Sequence, residues 1–117
     1  MNDVISVQSL SKRYGDLVAV DNLSFAVPQG ICFGLLGPNG AGKTTTIEML
    51  EGILKPSTGQ IQLFGEPANK KQYNRVGIQF QHTALQDFLR VEETLQLFAS
   101  FYEQPADLSE IMKLCSL

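Results

Sequence analysis

The chain has 117 residues, 44% of them hydrophobic, and a formal net charge of -3. That length suits one small domain with a sizeable core, and not two. The charge offers no basic patch for nucleic acid, no apolar run reaches the ~18 residues of a membrane span, and no basic-then-apolar leader is visible.

Residues 4–7 alternate weakly and predict a first strand. Residues 10–14 follow, with Lys12 and Arg13, and Gly15-Asp16 makes a turn. Residues 17–27 read as a longer strand, broken around Asp21-Asn22, in which Leu23, Phe25 and Val27 alternate with Ser24 and Ala26. Pro28-Gln29-Gly30 is a tight turn. Residues 31–36 are continuously apolar, which predicts a strand buried on both faces, as in a parallel sheet. A helix over about 43–54 carries Ile47, Leu50, Ile53 and Leu54 on one face, and Pro56 stops it. Residues 60–64 alternate as an edge-type strand closed by Gly65; residues 66–74 are polar and read as exposed. A short strand over 76–80 leads into a loop over 81–90. A helix over 91–102 places Leu95, Phe98 and Tyr102 on one face and ends before Pro105, and another begins at Leu108. Glu92, Glu93 and Glu103 read as a solvated helix face. Cys32 and Cys115 lie in different elements and read as two reduced, buried thiols; with the missing leader they favour the cytoplasm. The single His82 makes no metal cluster by itself.

One stretch carries chemistry: Gly37-Pro38-Asn39-Gly40-Ala41-Gly42-Lys43-Thr44-Thr45, between an apolar run and a helix start. It fits G-x-x-x-x-G-K-[ST], a fairly specific pattern, in the strand–loop–helix context that a phosphate-binding P-loop requires. A triphosphate is met by successive backbone N–H groups, by the open N-terminus of the helix and by a full positive charge. Gly40 and Gly42 leave room for the close approach. Lys43 supplies charge to the outer phosphates, Thr44 a hydroxyl to Mg²⁺, and Thr45 a donor to an inner phosphate.

Beyond that loop, the order of features resembles the ATP-binding subunit of ABC transporters over essentially the whole chain. Leu10-Ser11-Lys12-Arg13-Tyr14-Gly15 looks like the family's adenine-stacking segment, and Val20-Asp21-Asn22-Leu23-Ser24-Phe25 like the strand after it. Gly37 to Thr45 matches its Walker A, Lys55-Pro56-Ser57-Thr58-Gly59-Gln60-Ile61 its segment after the first helix, and Phe80-Gln81 its Q-loop. Glu48-Met49-Leu50-Glu51-Gly52 is similar to the subgroup that exports drugs, lipids or polysaccharides in bacteria.

The resemblance implies an α/β P-loop NTPase fold of ABC type. Residues 1–80 would form the antiparallel β subdomain and P-loop core, and residues 81–117 the Q-loop and the start of the helical subdomain. ATP and Mg²⁺ are the implied cofactors. Tyr14 would stack on adenine, a contact of about 1–3 kcal/mol by analogy with base–aromatic stacking. Gly37, Asn39, Gly40, Ala41, Gly42, Lys43, Thr44 and Thr45 would hold the phosphates, and Thr44 and Gln81 the Mg²⁺. Gln81 and Lys43 would take part in hydrolysis. The implied partners are a membrane-spanning permease, which residues 82–89 would face, and a second ATP-binding subunit; no nucleic acid is expected. Phe88 and Leu89 fit either exposed anchors or core. The implied location is the inner face of the cell membrane.

The family's Walker B aspartate, the glutamate after it, its switch histidine and its Leu-Ser-Gly-Gly-Gln signature do not occur in these 117 residues. Phosphoryl transfer needs such water-orienting and charge-stabilising groups. The sequence therefore reads as the N-terminal half of such a subunit, with an incomplete parallel core. It is expected to bind MgATP without hydrolysing it, and to be unstable unless a complementing segment pairs with the strand over 31–36. A soluble non-transport ABC ATPase and a non-catalytic nucleotide-binding or interaction module remain as alternatives.

Overall fold

In the computed structural model the described residues are 2–38, 40, 42–80 and 85–117. They divide into two compact units, Met1–Gln72 and Tyr73–Leu117.

The first unit is built on a long hairpin. β1 (Asp3–Tyr14) and β2 (Leu17–Pro28) pair antiparallel across the two-residue turn Gly15-Asp16, with Tyr14 opposite Leu17. The interruptions visible in the sequence are bulges, not strand ends. Ser9 and Asn22 both have positive φ, 49° and 51°. An N–H turned out of the ladder needs another acceptor. The Ser9 N–H donates to Ser24 Oγ at 2.8 Å, and the Asn22 N–H to Ser11 Oγ at 2.8 Å. A serine on the facing strand thus serves each bulge, and β1 and β2 run on without a break.

β3 (Thr58–Leu63) pairs with the other edge of β1, and β4 (Glu66–Pro67) closes a short hairpin onto β3. The resulting sheet is antiparallel, in the order β2-β1-β3-β4. α2 (Lys70–Tyr73) follows. The polar stretch 66–74 was expected to be exposed throughout, yet Gln72 is buried. Its amide donates to Leu63 O at 2.9 Å and to Glu66 O at 3.2 Å, and its Oε1 accepts from the Asn69 N–H at 2.9 Å. The hairpin's carbonyls repay its burial.

α1 (Lys43–Leu50) lies on the sheet through Met49, which joins Val7, Leu10 and Val20 in the buried core. It ends four residues earlier than the apolar spacing predicts. Gly52 takes φ 78° just past the C-cap Glu51. The Gly52 N–H donates to Met49 O at 3.2 Å, and the Ile53 N–H to Glu48 O at 3.0 Å. This pair of reversed bonds around a left-handed glycine terminates the helix before Pro56 can. The buried face is also rotated: Thr46 and Met49 are buried, whereas Ile47 and Ile53 are exposed.

Residues 31–38 form no strand, contrary to their apolar pattern. A strand exists only by pairing, and no described strand lies alongside to take up its N–H and C=O row. Ile31 and Leu36 are exposed rather than buried, and Cys32 is exposed with them. Phe33 is held by stacking on Phe25 of β2, with ring centroids 5.3 Å apart.

In the second unit residues 76–80 likewise form no strand. α3 (Val91–Ala99) starts at Arg90, whose backbone N–H and Nε both donate to Glu93 Oε1, at 3.0 and 3.1 Å. These bonds hold the Glu93 carboxyl below its usual range. Past Ala99 the chain tightens into turns, with the Phe101 N–H on Phe98 O and the Tyr102 N–H on Ala99 O, so the regular helix is shorter than the 91–102 expected. α4 (Leu108–Leu114) is capped by Asp107, which accepts from the Ser109 N–H at 2.9 Å. Cys115, just beyond it, is exposed rather than buried. Phe88 is fully exposed with φ 68°, while Leu89 is half-buried. No helix among the described residues is long and apolar enough to cross a membrane.

Candidate functional site

The site grows from the junction of the glycine-rich loop and α1. Gly42 is the N-cap, with φ 88°. Its conformation favours glycine, and so does its position: a Cβ there would lie 2.5 Å from Ala19 O and 3.3 Å from Val20 Cγ2. The loop is therefore seated directly on the backbone of β2. The Gly42 carbonyl accepts from both the Thr46 N–H, at 2.9 Å, and Thr46 Oγ1, at 2.8 Å. Thr46 is buried, so this clamp fixes the first turn from beneath.

Above the clamp the helix start is open. Lys43, Thr44 and Thr45 are its first three residues, and N–H groups at those positions have no intrahelical partner. The N-cap, a glycine, has no side chain to cap them, and the first turn contains no acidic residue. The N-terminal end carries a partial charge of about +0.5. No described residue forms an ion pair with the Lys43 ammonium. A cationic side chain, a hydroxyl and a row of unsatisfied N–H groups thus converge, and among the described residues no anion answers them.

They face a cavity of about 450 Å³, lined by Gly40, Gly42, Lys43, Thr44 and Thr45 on one side and Leu17, Val18 and Ala19 on the other. That volume falls within the usual range of small-molecule sites, about 300–1,000 Å³. The fit to a nucleoside triphosphate is good in kind. The glycine seat leaves the backbone accessible, the donors are unanswered, and Thr44 is exposed for an oxygen-liganded cation.

Of the residues named from sequence, the structure brings Gly40, Gly42, Lys43, Thr44 and Thr45 together around this cavity. Tyr14 does not line it, but pairs with Leu17, which does, and its ring is half exposed. Gly37 lies in the exposed loop approaching the site. Asn39, Ala41 and Gln81 lie outside the described residues. In the sequence Leu17, Val18 and Ala19 show only as strand. Their contribution is shape and backbone, which no residue-type pattern announces.

A glycine-rich loop that ends in Gly42-Lys43-Thr44 at the N-terminus of a helix marks a P-loop nucleotide-binding protein, although the strand that ordinarily precedes such a loop does not form among the described residues. The family model described as ABC transporter matches residues 20–117. The Nod factor export ATP-binding protein I of Ralstonia nicotianae is 48% identical over 106 residues, 88% of this chain and 33% of that protein. Among solved structures, an ATP-binding subunit of an ABC transporter superposes with a TM-score of 0.77 at 29% identity, over 86% of this chain and 43% of that one. CbiO1 of Clostridium perfringens, part of the CbiONQ ABC transporter complex, gives a TM-score of 0.56 at 31% identity over 59% of this chain and 28% of that one. The chain belongs to the ABC transporter ATP-binding family and has its α/β P-loop fold. It spans about a third of the length of the curated relative from Ralstonia.

Proposed function

We propose that this chain is the ATP-holding part of the ATP-binding subunit of an ABC exporter. The observation that carries the reading is the unanswered cationic cavity at the start of α1, seated on β2 through Gly42. Lys43 neutralises the outer phosphates, and the N–H groups of residues 43–45 bind phosphate oxygens. Thr44 offers its hydroxyl to Mg²⁺, which neutralises phosphate charge when bound. Gly37, Asn39 and Ala41 complete the loop around the phosphates. Tyr14, one register pair from the cavity wall, gives the adenine an aromatic face. Gln81 contacts Mg²⁺ and takes part with Lys43 in hydrolysis in the whole subunit; for Gln81 the support is the sequence resemblance alone.

Residues 1–80 act as the β subdomain and P-loop core, and residues 81–117 as the Q-loop and start of the helical subdomain. In the cell the subunit pairs with a second ATP-binding subunit and sits on the cytoplasmic face of the membrane, against a membrane-spanning permease. The likeness to an export ATP-binding protein supports export as the direction.

By themselves, residues 1–117 hold the nucleotide and do not cleave it, because they lack a Walker B pair and a signature loop. Phosphate release from MgATP, measured against Lys43→Ala, tests this. The expected result is no difference between the two. Turnover that disappears in Lys43→Ala would overturn it. Co-purification with a membrane-spanning subunit tests the transport role.

A further inference from the structure

The face of Tyr14 turned toward Lys12 is occupied. Lys12 and Tyr14 are two residues apart in β1. Lys12 Nζ lies over the Tyr14 ring, 5.2 Å from its centroid. That is within the ~6 Å at which a cation is held by an aromatic face. The same ammonium donates to the Lys55 carbonyl at 2.9 Å, a contact spanning 43 residues of chain. An ordinary surface lysine swings freely on four methylenes. This one is tied at its tip to the segment that follows α1, the helix that begins with Lys43.

We propose that Lys12 is a positioning residue for the adenine platform: its ammonium, anchored on the Lys55 carbonyl, closes one face of the Tyr14 ring and presents the other to the base. The proposal rests on Tyr14 serving as that platform. A tyrosine at the end of a hairpin strand, half exposed, otherwise samples several ring orientations. Base stacking then has to order it at the moment of binding. With Lys12 in place the ring is ordered beforehand. Because the anchor follows α1, the platform is also kept in register with the helix whose first turn holds the phosphates. Lys12 touches neither phosphate nor base, so its effect travels through Tyr14 alone.

The test is calorimetric binding of MgATP and of inorganic triphosphate, which has no base, to the full chain and its variants. Lys12→Ala is expected to weaken MgATP about two- to fivefold, the size of an exposed cation–aromatic contact, and to leave triphosphate unchanged. Lys12→Arg, which can both stack and donate, restores MgATP affinity. In a Tyr14→Ala background, Lys12→Ala has no further effect. Equal weakening of MgATP and triphosphate would overturn the proposal, since it would make Lys12 a general positive charge. So would an undiminished Lys12→Ala effect without Tyr14. Loss of MgATP affinity in Tyr14→Ala with none in Lys12→Ala defeats the Lys12 role while sparing the platform. No loss in Tyr14→Ala defeats the platform, and the Lys12 role with it. Lys12→Gln, which keeps a polar side chain but is uncharged and one atom shorter, serves as a second variant if Lys12→Ala does not fold. It loses the cation over the ring and is expected to weaken MgATP in the same way.

Discussion

Replacing Gly42 by alanine tests how the phosphate seat is built. Two costs add. A left-handed backbone costs an L-residue about 1–2 kcal/mol. The new Cβ would then lie 2.5 Å from Ala19 O and 3.3 Å from Val20 Cγ2, and the first of these is backbone that cannot swing aside. Pushing the loop off β2 is an overpacking event of about 1–3 kcal/mol. Together they predict a loss of about 2–5 kcal/mol, a large fraction of a typical stability of about 5–15 kcal/mol. Gly40→Ala is the control, because φ is 85° there but nothing lies within 4 Å of an added Cβ. It carries the backbone cost alone, about 1–2 kcal/mol. Urea unfolding of the two variants gives the difference directly, and MgATP affinity should fall further in Gly42→Ala. Equal destabilisation by the two substitutions would refute the claim that the loop is seated on the β2 backbone.

Gln72→Ala removes a buried amide that joins Leu63 O, Glu66 O and the Asn69 N–H, so it should cost about 1–3 kcal/mol in urea unfolding. Burial, with Glu48 adding its charge, raises the Glu51 carboxyl above its ordinary value. The folded state therefore holds that proton more tightly than the unfolded chain, and stability falls as pH rises past the ordinary carboxylate range. Glu51→Gln should accordingly gain stability relative to the native chain at pH 7, and the gain should vanish at about pH 4 and below.

The parts legible in the sequence were those set by local chemistry. Gly15-Asp16 marks the hairpin, and Gly42-Lys43-Thr44 marks the helix start, because backbone angle and charge are written in single residues. Strand pairing is not local. Residues 31–36 have the apolar content of a buried strand and residues 76–80 the look of a short one, but content cannot supply a neighbouring strand. The breaks at Ser9 and at Asp21-Asn22 look like strand ends in sequence; only the facing Ser24 and Ser11 hydroxyls make them bulges. On α1, Pro56 was the louder stop signal, yet Gly52 acts first because its left-handed turn satisfies the last carbonyls. Thr46 is polar in the sequence yet buried in the fold, because its hydroxyl is used up internally on Gly42 O. In the site itself the donors were readable, while the wall of Leu17, Val18 and Ala19 depends on how β2 lies against the loop.

The central claim is that this chain holds a nucleoside triphosphate through the open first turn of α1. Calorimetric titration of MgATP into the native chain and into Lys43→Ala measures it most directly. The account predicts saturable binding at one site, weakened about tenfold or more when the ammonium is removed, the scale of a charge-assisted hydrogen bond. Absence of binding, or equal affinity in the two chains, would contradict it.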